Sequence, residues 1–210
     1  MPASPAIFVA DALALDFLNS VATPVDTPVD WIDSGEGLLD WLRQAGLVRP
    51  DALEQMRARA MPGELDGVAA RARSLREWFR TFVSSRQGRP LRAEDLQALE
   101  PLNRLLARDE AFNQVASNIH GDHADADQPF ALLPARRWRS PEQLLQPIGE
   151  AMAQFVCEAD FTDVKACEGH ACTLTFVDRT RGRGRRWCSM AICGNRAKQA
   201  AYRSRAKGAS

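Results

Sequence analysis

Residues 167–196 read CEGHACTLTFVDRTRGRGRRWCSMAICGNR, and Cys167, Cys172, Cys188 and Cys193 repeat one spacing within them. Four residues separate the members of each pair, and fifteen separate the pairs. Zinc takes four soft ligands in a tetrahedron, and thiolates from two short turns supply them. The bland reading is four buried, unliganded thiols; a spacing that occurs twice favours one Zn²⁺. Four protein ligands leave no open coordination position, so such a metal is structural. His170 offers a competing Cys-x2-His spacing, but Cys172 mirrors the second pair and is preferred. Leu174, Phe176 and a turn through Asp178–Gly184 predict a hairpin between the pairs, ending at Arg185, Arg186 and Trp187. The second pair then opens a helix from Cys193 to Arg203. Knuckle, hairpin and ligand-bearing helix together predict a treble-clef-like zinc finger over residues 161–210.

The finger is also where the charge changes sign. The net charge is zero, yet the last 32 residues hold 10 Lys or Arg and no acid. Residues 1–178 carry all 27 acids against 17 bases, a net of −10. A basic segment on an acidic body is the electrostatic footprint of a nucleic-acid-binding appendage. At 100° per residue Arg196 aligns with Arg203, and Lys198 with Arg205, on opposite sides of an Ala-rich helix. Arg196 and Arg203 are expected toward double-stranded DNA, with Arg185 and Arg186 on its phosphates. The Arg181-Gly182-Arg183-Gly184 run is expected to form a flexible basic tip.

Upstream, helical periods dominate, and the expected fold class is mainly α (α+β). Asp33 and Glu36 have capping-box spacing before Leu38, Leu39, Trp41 and Leu42, with Gly46 as C-cap. Pro50 opens a short helix carrying Leu53 and Met56. From Glu64 to Arg86, Leu65, Val68, Ala72, Leu75, Phe79 and Phe82 step by three and four, a core-facing stripe preferred over a coiled coil. Arg71, Arg73, Arg76, Glu77 and Arg80 are assigned to its other faces. Residues 94–108 form one kinked helix or two short ones around Pro101. Phe130–Leu133 and Arg136–Arg139 suggest a short hairpin around Pro134. Ser140, Pro141 and Gln143 then cap a helix bearing Leu144, Ile148, Met152 and Phe155. Leu13–Asn19 fits strand and helix equally. The division expected is a helical body over 1–160, folding on its own core, and the finger over 161–210.

The string Trp187-Cys188-Ser189-Met190-Ala191-Ile192-Cys193-Gly194-Asn195-Arg196, with Lys198, Tyr202, Arg203 and Arg205 behind it, resembles the CGNR zinc-finger family. Leu13–Asn19, with Asp16, Phe17 and Asn19, is similar to the start of the ABATE domain that accompanies that finger. Members are regarded as stress-responsive bacterial transcription regulators. The resemblance implies zinc on Cys167, Cys172, Cys188 and Cys193 and a DNA-binding role for the basic finger. Asp16 and Asn19 become the candidates for lining an effector pocket, against the plainer role of capping and turn residues.

Other chemistry finds little footing. His120 and His123 with Asp122, Asp125 and Asp127 match no ligand spacing for a second metal. No phosphate loop, nucleophile elbow or metalloprotease motif occurs, and the finger lacks the histidines of a nuclease, so no enzyme is expected. No apolar run approaches a membrane span, and Asp11 and Asp16 interrupt the start of the chain, so a cytoplasmic protein is expected. Two classes remain. One is a DNA-binding regulator whose body senses a small-molecule effector or forms a homodimer. The other is a zinc-stabilised module that meets an acidic protein or RNA.

Overall fold

A computed structural model of the chain describes residues 5–23, 27–117 and 129–200. Helices dominate: α1 (Leu13–Leu18), α2 (Gly35–Gln44), α3 (Pro50–Arg59), α4 (Glu64–Ser84), α5 (Glu100–Leu106) and α6 (Gln146–Glu158). Three antiparallel two-stranded ribbons join them: β1 (Val21–Ala22) with β2 (Val29–Asp30), β3 (Ala111–Ser117) with β4 (Phe130–Arg136), and β5 (Val164–Ala166) with β6 (Thr175–Val177). The class is mainly α, with β confined to ribbons.

The stretch that fitted two templates is helical. A six-residue helix has too little backbone bonding to stand alone, and α1 is held by burying Ala14, Leu15, Phe17 and Leu18 against α4 and α6. Helix α2 begins one residue later than the capping-box spacing suggests: Ser34 is the cap, its Oγ accepting from the Gly37 N–H at 3.2 Å. Gly35 follows because α2 and α4 touch there. A Cβ on it would lie 2.4 Å from the Leu65 Cβ.

Helix α4 is the central pillar. Val68, Ala69, Ala72, Phe79, Phe82 and Val83 are buried, and Phe79 meets Phe155 of α6 edge-on with ring centroids 6.3 Å apart. Arg76, assigned to another face, lies within this stripe and is 3% exposed. Its guanidinium takes both Asp30 oxygens at 2.8 Å and the Ser20 Oγ at 3.0 Å, pinning the β1–β2 ribbon to α4. Burial alone would raise the Asp30 pKa, but Arg76 holds it below the usual carboxylate range.

One open alternative is settled and one other expectation changes. Residues 93–106 divide into a 3-10 turn, Ala93–Leu99, and α5 with Pro101 in its first turn, where no intrahelical N–H is needed. Pro134 does not split two strands. It lies inside β4, opposite Asn113 of β3, a strand that the sequence reading missed. Arg137 N donates to Glu110 O, so residues 110 and 137 form a bonded pair. By alternation 113 and 134 form a non-bonded one, and the Pro134 nitrogen points away from the ladder, where no donor is required. Residues 118–128, including the His120–His123 acidic stretch, lie outside the described residues.

The core does not stop at the body. Phe161 packs on Phe82 and Phe155, with centroids 6.1 and 5.2 Å away. Val164, Leu174, Phe176 and Val177 belong to the same buried cluster as α1 and α4.

Candidate metal centre and nucleic-acid interface

Strand β5 runs directly into Cys167 and β6 begins three residues after Cys172, so the first cysteine pair occupies the turn of the β5–β6 ribbon. The ribbon expected between the cysteine pairs therefore straddles the first pair instead. Cys167 N donates to Leu174 O at 2.9 Å and Cys172 N to Gly169 O at 3.0 Å, which folds the knuckle back on itself. Its bend passes through Ala171 at φ 58°. The second pair opens a wide helical turn, Met190–Gly194, whose cap Ser189 accepts from Ile192 N at 2.9 Å; helix continues over 195–200.

These two turns bring the sulfurs of Cys167, Cys172, Cys188 and Cys193 within 4.8 Å of one another. A tetrahedron with metal–sulfur bonds near 2.3 Å has sulfurs about 3.8 Å apart, and Cys172 Sγ lies 4.0 Å from Cys188 Sγ. The donor set fits a thiophilic divalent metal. Gly169 N at 3.4 Å and Cys188 N at 3.2 Å donate to Cys167 Sγ, placing N–H dipoles where a thiolate needs them. Gly169 is demanded by space: a Cβ there would sit 2.6 Å from Cys193 Sγ. The S–H of Cys188 holds Cys172 down to about 5, while burial and the charge on Cys172 push Cys193 up to about 12. His170 is exposed on the knuckle, outside the cluster.

The basic residues divide into engaged and free. Arg185, expected on phosphates, is instead the hub between finger and body. Its guanidinium stacks 4.1 Å over Phe176, pairs with Asp11, and donates to Val9 O at 2.7 Å, Trp187 O at 3.1 Å and Cys188 O. Those bonds leave it no free edge for a phosphate. Arg186 is exposed and pairs with Glu168 at 2.6 Å, an ion pair weak enough in solvent to exchange. Arg183 pairs with Asp163. Arg179, Arg181 and Lys198 are exposed and Arg196 half-buried, all without an ion pair among the described residues. Arg203 and Arg205 lie outside the described residues.

The tip that presents Arg179 and Arg181 is braced rather than loose. Asp178, fully buried, accepts from Lys165 Nζ at 2.7 Å, Thr180 N at 3.0 Å, Thr180 Oγ1 at 2.6 Å and Arg185 N at 2.9 Å. Burial alone would raise its pKa, and these donors hold it well below the usual carboxylate range. Sequence reasoning missed this keystone. The signal was present as a lone acid at the start of a run rich in arginine.

Asp16 and Asn19 spend their polar atoms on backbone. Asp16 Oδ1 accepts from Val9 N and Ala10 N, both at 3.0 Å. Asn19 donates from Nδ2 to Thr175 O at 2.8 Å and accepts from Thr175 N at 3.0 Å, while Ala10 O takes the Val177 N–H at 2.9 Å. Their positions are at the joint between α1 and β6.

Comparison with known families agrees with this geometry. Residues 11–159 match the ABATE family, described as "Putative stress-induced transcription regulator". The chain belongs to the ABATE family. Residues 164–206 match the CGNR zinc finger, so this ABATE protein carries its ABATE domain ahead of a zinc finger, and neither family is an enzyme family. No curated protein matches the chain. Among the described residues no helix of this ABATE protein is long and apolar enough to cross a membrane.

Proposed function

We propose that the chain is a DNA-binding transcriptional regulator of the cytoplasm, with one structural Zn²⁺ on Cys167, Cys172, Cys188 and Cys193. The observation that carries this reading is the convergence of four sulfurs in a finger whose exposed Arg179, Arg181 and Lys198 carry no ion pair among the described residues. Zinc fixes the second turn, and that turn launches the helix bearing Arg196 and Lys198, continued in sequence by Arg203 and Arg205. Arg186 reaches phosphate by exchanging Glu168. Arg179 and Arg181 on the braced tip replace Arg185 in the phosphate-binding set.

The body, residues 1–160, is proposed to bind an effector or to join two copies, with the finger over 161–210. Asp16 and Asn19 are committed to the joint, so the effector place is the groove of about 740 Å³ lined by Trp31, Asp33, Glu36, Asp40, Trp41 and Arg57, a size suited to a small molecule.

Duplex selection from a random pool, followed by binding across a salt series, tests the DNA reading. With about four phosphates neutralised, log K falls against log salt with a slope near −3.6. Replacing Arg179, Arg181, Arg196 and Lys198 together by alanine flattens that slope by more than half, leaving what Arg186 contributes. If affinity and slope survive those changes, or if single-stranded RNA or an acidic protein binds more tightly than any duplex, the finger is an interaction module of another kind.

A further inference from the structure

The β3–β4 ribbon carries a concentration of large exposed apolar side chains: Val115 and Phe130 are 70% exposed, Leu132 67% and Leu133 43%. The register places Val115 opposite Leu132, Ser117 opposite Phe130 and Asn113 opposite Pro134. All three are non-bonded pairs, whose side chains stand close together on one face. That face therefore presents Val115, Leu132, Phe130 and Pro134 side by side, with Leu133 on the other. The base of the ribbon is clamped, Arg136 binding Asp109 at 2.7 and 2.8 Å and Glu150 at 2.9 Å. Beyond that base no other described element packs substantially on either strand. A two-stranded ribbon with no other described element on its apolar face is marginal in water and calls for a second layer.

The chemistry of the face selects its occupant. Residues 111–117 and 130–135 contain no charged side chain, although residues 1–178 have a net charge of −10. A charged ligand or nucleic acid finds nothing to pair with here. An uncharged sheet face is matched by another of the same kind, and a two-fold axis makes the patch its own complement. The area sets the strength. Val115, Phe130, Leu132 and Pro134 on this one face offer roughly 450 Å² per copy, about 900 Å² when two copies meet. That is the range of weak, reversible association.

From this we infer that the Val115–Leu132–Phe130 face is a homodimer interface, two copies packing ribbon on ribbon about a two-fold. The inference gives a surface to the two-copy form of the function proposed above and is independent of DNA binding. Sedimentation of the full chain from about 1 to 200 µM reads it directly, with a dissociation constant in the micromolar range expected. Leu132→Lys and Val115→Lys each weaken the dimer at least tenfold. Both side chains are solvent-exposed in the single copy, so circular dichroism and melting stay as in the parent chain. Leu96→Lys, at a 63% exposed site on the 3-10 turn, leaves association unchanged. A parent chain monomeric throughout, or a dimer indifferent to both ribbon variants, overturns the inference. Duplex binding is read separately on the same samples. A monomer that binds DNA sinks only the dimer, and a dimer that ignores DNA sinks only the nucleic-acid reading.

Discussion

Asp16 is a carboxylate whose folded surroundings disfavour its charge. It is 5% exposed, and burial outweighs the two N–H bonds from Ala10 and Val9, so its pKa is pushed up to about 6 from an ordinary 3.8. Between those values the folded chain holds a proton that the unfolded chain has released. Stability from this group therefore falls as pH rises from 4 through 6, and above that the full cost, about 3 kcal/mol, is present. Asp16→Asn keeps an Oδ1 acceptor for both N–H groups and carries no charge. Melting measured at pH 4.5 and 7.5 should show the variant several degrees more stable at the higher pH and near parity at the lower. Asn19 poses the opposite case, with donor and acceptor both used on the C=O and N–H of one residue, Thr175. Asn19→Ala leaves Thr175 N and O unpaired at a 1% exposed site, a loss of about 2–4 kcal/mol in chemical denaturation. Both residues were drawn out of the sequence by the family resemblance. Their work was not legible there, because their partners are created only when distant backbone arrives.

At the scale of elements, helices were readable where one face met one core. The 3–4 steps of α4 gave its length and its buried stripe, yet Arg76 was misassigned although it sits four after Ala72 and three before Phe79. The period marks the position as buried, and residue type misled. Arg76→Ala strips Asp30 and Ser20 of their partner and should cost about 3–5 kcal/mol, seen as a lowered denaturation midpoint with most helicity kept at zero denaturant. Strand β3 was invisible because AFNQVAS has little alternation, and it is a strand by virtue of pairing with β4. The cysteine pairs were legible in full as a spacing, whereas their ribbon was misplaced: the strand before Cys167 is only three residues long. Gly169 gives the knuckle its sharpest test. Gly169→Ala should weaken zinc retention by at least tenfold in competition with a chromophoric chelator, since the new methyl enters the space of Cys193 Sγ, while Gly182→Ala, with open space around it, should not.

For the whole molecule, the joint between finger and body decides how stability is shared. The sequence suggested a body that folds on its own core, with the finger as a separate unit. The structure gives them one buried cluster, with Phe161 between Phe82 and Phe155 and Arg185 bonded to both sides. Chelation, or Cys188→Ser, is therefore expected to lower the melting temperature of the entire chain in a single transition. Residues 1–160 alone should remain helical but melt lower still, because they lose Phe161 and the cover over α1. Two separate calorimetric peaks in the intact chain would restore the independent-domain picture. The same joint also fixes an order of events during synthesis. Asn19 and Thr175 are 156 positions apart, so at 5–20 residues per second the first helix waits roughly 8–30 s for the strand that covers it. For that interval the nascent chain displays α1 with one side bare, and whatever shields newly made apolar surface in the cell has its clearest opportunity there.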